Sequence, residues 1–265
     1  MIAGLRVVRD WITTLPTLVA FGLTLVVFDL AGRIALLFGR RPFEWTMAAL
    51  QWTLLRVFSL SGVRYDVEGT EHLPPGRSAL VVSNHQSMLD IPMFGGVLLR
   101  NFPKYVAKQE LGRGIPAVSL NLRRGGNALI DRGDRAQAVA EIRRVAAESR
   151  ERGTVVVLFP EGTRSRTGEL RRFRRAGAEA MFDAAPDLPV IPAAIDGTWK
   201  VFERNMLPIP FGTRVRVRFG PPIPREGRST GEVLADARAW IEATLAGWRG
   251  ATADPPMTDG RTSHG

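Results

Sequence analysis

Apolar and polar positions along the chain fall into two regimes that meet near residue 62. In the first, WITTLPTLVAFGLTLVVF (residues 11–28) runs for 18 residues without a charge, which reaches the lower limit for a membrane-spanning helix. Asp29 and Arg33 follow, then IALLF, then a second apolar stretch, EWTMAALQWTLLRVF, before Gly62. The pattern predicts two linked helices. In the second regime short β-rich runs alternate with helical periodicity. Strands are expected near 63–67, 79–83, 105–107, 128–130, 155–159, 190–195 and 214–219, and strands separated by helices argue for an α/β fold. The helix after Asp134 carries Val139, Ile142 and Val145 or Ala146 on one face. Ser229 and Glu232 stand at the spacing of a capping box, opening a last helix that packs Val233, Ala237, Trp240, Ile241 and Trp248.

The expected organisation has three parts. An amino-terminal helical membrane anchor covers 1–61, an α/β domain with a central, mostly parallel sheet flanked by helices covers 62–248, and a polar tail rich in Gly and Pro, expected to be disordered, covers 249–265. Arginines flank the first apolar segment on both sides (Arg6 and Arg9; Arg33, Arg40 and Arg41), so the positive-inside rule gives it no direction. A hairpin lying in one leaflet fits that symmetry. Trp11, Trp45 and Trp52 suit an interfacial position. Monotopic attachment at the cytoplasmic face is therefore expected, with a buried soluble helix pair as the alternative. A signal peptide would need a shorter apolar region and a small-residue cleavage site. No internal repeat is present, and nothing in the pattern specifies an oligomeric state.

Composition narrows the chemistry. The 265 residues, 45% hydrophobic, are enough to build the core of one large domain. The absence of cysteine removes disulfides, thiolate catalysis and sulfur-ligated metal together. Three scattered histidines offer no ligand pair at helix or ribbon spacing, so no metal site is expected. A net charge of +10 calls for an anionic partner, and nucleic acid, anionic lipid or a phosphorylated small molecule would each answer to it.

SNHQSMLD, residues 83–90, follows the apolar run SALVV and carries one of those histidines. Five residues along a helix leave His85 and Asp90 roughly 140° apart, and five along a strand put them on opposite faces. They meet only if the strand ends near Asn84, the chain turns, and Asp90 folds back from the first turn of the next helix. There a carboxylate holding the imidazole Nδ1 proton would leave Nε2 as a general base. An aspartate that caps the helix and satisfies a partly buried histidine is the rival reading. Downstream, LFPEGTRS (158–165) again ends a β-branched run in a turn, with a glycine, a hydroxyl and two charges. Exposed N–H groups, Thr163 and Arg164 suit an oxyanion, and Arg164 could grip phosphate in bidentate fashion. Between the two lies AKQELGRGIPAVSLNLRRGGNALIDRGD, where Lys108 and Arg132 fall on the same expected side of the sheet. The apolar VIPAAI would line a floor without donating chemistry. The arginine run 164–175 has one interleaved aromatic, Phe173, too few for a nucleic-acid stacking platform. No G-x-S-x-G elbow is present, and Ser87 stands where a turn or helix cap is expected.

These blocks, in this order, resemble the glycerolipid acyltransferases, especially the 1-acyl-glycerol-3-phosphate acyltransferases. NHQSMLD looks like the family's histidine–aspartate block, KQEL to GGNALIDR like its second, FPEGTRS like its third and VIPAAI like its fourth. LRRGG in the second block is more basic than the family pattern. The resemblance implies that His85 is the general base and Asp90 its orienting partner. It also implies that Lys108, Arg132, Glu161, Gly162, Thr163 and Arg164 bind the glycerol phosphate. The implied reaction moves a fatty acyl group from a thioester of coenzyme A or acyl carrier protein to the free hydroxyl of a membrane lysophospholipid. No acyl-enzyme, no cofactor beyond that co-substrate and no nucleic acid are expected. Transfer to another lysolipid or to glycerol 3-phosphate, hydrolysis by water, and a non-catalytic membrane or nucleic-acid binder on the same fold are the alternatives.

Overall fold

The computed structural model describes residues 2–131, 133–203 and 206–250. Arg132 and residues 251–265 lie outside the described residues, and with them the acceptor role expected of the one and the disorder expected of the other. Seven strands form the sheet: β1 (Arg64–Glu68), β2 (Ala79–Ser83), β3 (Lys104–Lys108), β4 (Ala128–Ile130), β5 (Val155–Leu158), β6 (Val190–Asp196) and β7 (Arg214–Phe219). Their order is β1-β7-β6-β2-β5-β3-β4. The run from β6 to β4 is parallel, β7 is antiparallel to β6, and β1 pairs parallel with β7 at the edge. Every expected strand is present within one residue at each end.

The register explains the burial. β2 and β5 are buried at every position and β6 at all but its last, as parallel strands covered on both faces must be. Val81, Val157 and Ile191 face α2 (Arg40–Ser59) and α3 (Asp90–Val97), meeting Leu55, Phe58, Met93 and Phe94. Leu80, Val82 and Val156 face the other way, onto α5 (Arg135–Arg152), α6 (Arg175–Ala184) and α8 (Thr230–Gly250). The capping box forms as expected: Glu232 accepts the Ser229 N–H at 2.8 Å while Ser229 Oγ accepts the Glu232 N–H at 3.3 Å. α8 runs to Gly250, and Arg249 near its end donates to the Gly168 carbonyl at 2.7 Å.

The amino-terminal region forms the two linked helices expected. α1 (Ile2–Leu37) is one helix of 36 residues that continues through Asp29 and Arg33. The two charges pair at i,i+4, 2.7 Å apart, and Asp29 also accepts the Ala117 N–H at 2.8 Å, so neither interrupts the helix. Leu15, Val19, Leu23, Val26 and Leu30 are exposed along α1 while Thr14, Thr17 and Leu25 are buried. α2, expected as part of the anchor, belongs to the core. It buries Phe43, Met47, Leu50 and Leu54, and its Glu44 meets Lys104 of β3 at 2.9 Å. Two short helices, α4 (Val118–Arg124) and α7 (Thr198–Val201), complete the fold.

Candidate active site

Parallel order brings the carboxyl ends of β6, β2, β5, β3 and β4 to one edge, the edge where α/β sheets bind ligands. After β2 the chain turns at once. Asn84 fixes that turn to β6, accepting the Ile195 N–H at 2.9 Å and donating to the Ile195 carbonyl at 2.8 Å. α3 then starts at Asp90, and the fold-back brings Asp90 Oδ2 to 2.6 Å from His85 Nδ1. The same oxygen accepts the N–H groups of Gln86 at 2.6 Å and Ser87 at 3.0 Å, while Oδ1 accepts the Thr198 hydroxyl. Asp90 is fully buried. A carboxylate accepting at Nδ1 leaves the lone pair on Nε2, and among the described residues Nε2 makes no hydrogen bond. The His85 ring stacks on Phe159 with centroids 4.1 Å apart and 17° between the planes, and its side chain is 18% exposed.

The turn after β5 builds the other wall. Gly162 sits at φ 68°, a left-handed conformation that costs glycine little, and its N–H closes the turn on the Phe159 carbonyl at 3.0 Å. Glu161, only 3% exposed, spends both oxygens on backbone: Oε1 accepts the His85 N–H at 2.7 Å and Oε2 the Arg171 N–H at 3.1 Å. The Ser165 N–H donates to the His85 carbonyl at 2.7 Å. His85 is thus held through both of its own backbone groups. Burial pushes the Glu161 carboxyl above its ordinary value, and the two N–H bonds only partly oppose that shift.

Of the residues expected to meet the acceptor, Arg164 and Lys108 are exposed, Thr163 and Gly162 are half-buried, and neither cation forms an ion pair among the described residues. β3 and β5 are parallel neighbours, so the turns that follow them leave the same edge of the sheet. The Glu161 carboxylate is buried, with both oxygens accepting backbone N–H groups. Ser87 Oγ accepts the Leu89 N–H at 3.1 Å inside the turn, which makes it a turn cap.

Residues 64–196, half of the chain, match the model of the Acyltransferase family. The chain belongs to that family. Among its curated relatives, the 1-acyl-sn-glycerol-3-phosphate acyltransferase of Pseudomonas aeruginosa is 30% identical over 190 residues, covering 71% of this chain and 71% of the relative. The alpha form of Homo sapiens is 30% identical over 71% of this chain. The chain spans just under two thirds of that relative's length, 65%. The crystal structure of the 1-acyl-sn-glycerophosphate (LPA) acyltransferase PlsC from Thermotoga maritima superposes with a TM-score of 0.69 at 26% identity, over 94% of this chain and 98% of the other.

Membership of the Acyltransferase family accounts for the blocks the sequence displays. It does not by itself bring out Thr198, Gln86 or Ser165. Thr198 stands two residues past β6, beyond the VIPAAI run read as a floor, and its hydroxyl reaches Asp90 only because β6 and β2 are adjacent. Nothing in local spacing signals that contact.

Proposed function

We propose that this chain is a membrane-surface 1-acylglycerol-3-phosphate acyltransferase, taking the acyl group from a thioester of coenzyme A or of an acyl carrier protein. The observation that carries the reading is the 2.6 Å contact between His85 Nδ1 and the buried Asp90 carboxylate within the segment that matches the family. His85 Nε2 removes the proton from the acceptor's free hydroxyl as its oxygen attacks the thioester carbonyl. The C–O bond forms, the C–S bond breaks, and the departing thiolate takes the proton back from the imidazolium. Asp90 holds the ring in the reactive tautomer and stabilises its cation. No side-chain nucleophile is needed: Ser87 is occupied as a cap and the chain has no cysteine. Arg164 and Lys108, with Gly162, Thr163 and Arg132, receive the acceptor phosphate, and Glu161 positions the base. α1 lies on the leaflet that supplies the acceptor, the attachment being at the cytoplasmic face.

Purified full-length protein incubated with lysophosphatidic acid and a radiolabelled acyl thioester tests this. Phosphatidic acid should form, and His85→Ala and Asp90→Asn should each lower the rate by on the order of 10² to 10⁴ while leaving the fold intact. Thioester hydrolysis without transfer would instead identify a thioesterase, and full activity in folded His85→Ala would remove the general base. Running coenzyme A and acyl carrier protein donors in parallel assigns the carrier.

A further inference from the structure

We propose that Thr198 is a positioning residue of the catalytic pair, its hydroxyl fixing the orientation of the Asp90 carboxylate and through it the aim of His85. This role rests on the acyl-transfer reading above and adds a residue contributed by a different strand. Oδ2 of Asp90 gathers three N–H donors, from His85 Nδ1, Gln86 and Ser87. On Oδ1 the hydrogen bond comes from Thr198 Oγ1. The terminal torsion of an aspartate is soft, with a broad, roughly two-fold profile. Donors on one oxygen leave the carboxylate plane free to rock, and a donor on the second oxygen pins it.

Thr198 is itself built to be rigid. It is fully buried, and as a β-branched residue it has few rotamers to visit. Gly197, immediately before it, has φ 91°, and a side chain there would collide with the Arg214 carbonyl, so the turn passes through one narrow route. Behind the hydroxyl, Gln86 Oε1 lies 3.4 Å away, and Gln86 Nε2 donates to Asp196 Oδ1 at 3.0 Å. A hydroxyl has one proton, and the closer, charged acceptor, Asp90, receives it. Gln86 is thereby left bridging the turns that follow β2 and β6. Thr198, Asp90 and His85 are thus joined by hydrogen bonds, and Gln86, whose backbone N–H also donates to Asp90, reaches Asp196 at the end of β6 through its side chain. A methyl group in place of the hydroxyl would leave Oδ1 of a buried carboxylate without that donor and let the imidazole swing.

The test uses full-length protein in detergent micelles, with Thr198→Val and Thr198→Ser read against wild type. Thr198→Val should lower kcat by about 10- to 100-fold, the loss expected for a donor to a charged group. KM for both substrates should stay nearly unchanged, since the residue is fully buried, and Thr198→Ser should restore most of the rate. The downfield proton resonance of the His85 Nδ1–H should move in Thr198→Val and return in Thr198→Ser. Thr198→Ala, which removes any packing conflict of the valine methyl with Asp90, should give the same kcat loss and the same shift. An unmoved resonance, or kcat and KM changing together with no rescue by serine, would reduce Thr198 to a packing role. The resonance needs no turnover. Its response therefore decides the positioning role even if wild type proved to transfer no acyl group, an outcome that would count only against the proposed reaction.

Discussion

The Glu161 carboxylate accepts the backbone N–H of His85 at 2.7 Å, joining residues 76 positions apart. Its other oxygen takes the Arg171 N–H, and Ser165 closes on the His85 carbonyl. The turn after β5 therefore does two things at once. It offers Arg164 to solvent and it sets where the imidazole stands, so the proposed base and the proposed phosphate-binding cation are carried by one turn. Holding a base within a fraction of an ångström of its working place is worth more than any added contact, because a displacement of about 1 Å can cost about 10²-fold in rate.

Replacing Glu161 by Gln separates stability from turnover. Burial holds the Glu161 carboxyl above its ordinary value of 4.5 despite the N–H donors. A carboxyl raised on folding contributes stability below its unfolded pKa and loses it as pH rises through the folded value. Glu161→Gln has no such titration, so it should gain on wild type in thermal stability from roughly pH 4.5 upward to neutrality. Turnover should nevertheless fall about 10-fold or more, because an amide NH₂ now faces a backbone N–H. Unfolding curves at several pH values, taken beside kcat, check both. A variant that loses ground to wild type as pH rises would mean that the hydrogen bonds outweigh burial.

Arg164→Ala and Lys108→Ala should act on the acceptor alone. Both side chains are exposed and free of ion pairs among the described residues, so neither replacement should disturb the fold. Losing one charge-assisted bond to phosphate costs about 1.5–3 kcal/mol, which is about 10- to 150-fold in KM for a phosphate-bearing acceptor. The KM for the thioester should stay put. Initial-rate measurements varying each substrate separately distinguish the cases, and equal weakening of both would make these cations part of a general anionic surface.

The strands and the contact between His85 and Asp90 were legible for the same reason: each is encoded by neighbours in sequence. VVVL and VIPAAI are buried on both faces and read as uninterrupted apolar runs, and the five-residue gap from His85 to Asp90 admits one local geometry that joins them. What was not legible depends on which strands become neighbours. Thr198 reaches Asp90 and Glu161 reaches His85 only because β6, β2 and β5 stand side by side. The antiparallel β7 and the edge position of β1 were hidden likewise, since period-2 alternation such as RVRVRF reports a half-exposed strand and says nothing of its direction. The contact of Asp29 with the Ala117 N–H was hidden in the same way, since the two lie 88 residues apart.

The buried pair Glu44–Lys104 gives a stability prediction with a built-in asymmetry. The side chains are 5% and 6% exposed and 2.9 Å apart. Burial pushes the Glu44 carboxyl up, but Lys104, with Arg41 and Arg40, outweighs it and holds the group below its ordinary 4.5. Its contribution is therefore complete above 4.5 and is lost as pH falls through the depressed value. Glu44→Gln strands the Lys104 ammonium among arginines and should cost about 3–5 kcal/mol. Lys104→Met should cost less, since Glu44 keeps both arginines. The double replacement Glu44→Met with Lys104→Met should recover most of the loss. Chemical unfolding at neutral pH measures all three, and equal losses in the two single variants would contradict the account.

α1 should lie in the membrane plane. An apolar window with mean hydropathy 1.9 and 17% burial is what a crossing helix would also show, so composition does not decide. The docking contacts favour the in-plane arrangement. Asp10 accepts the Phe211 N–H, Thr14 the Ile209 N–H, Thr17 meets Ser61, and Asp29 accepts the Ala117 N–H. Positions 10 to 29 span about 28 Å of helix, close to the full hydrocarbon thickness of about 30 Å. A crossing α1 would carry those contacts, and the domain surface that makes them, into the bilayer with it. An in-plane helix keeps them at the interface and turns Leu15, Val19, Leu23, Val26 and Leu30 toward the acyl chains. Since α2 is core, deleting the whole hairpin would unfold the domain, and substitution is the sharper tool. Val19→Gln, Leu23→Gln and Val26→Gln together should release the protein from vesicles while leaving activity on short-chain, water-soluble acceptors. Gly4 has open space around it and the chain has no cysteine, so Gly4→Cys gives a single thiol near the free end of α1. A membrane-impermeant thiol reagent added to intact cells should leave it unlabelled, and permeabilised cells should label it. Labelling from outside intact cells would place that end across the membrane and overturn the in-plane arrangement.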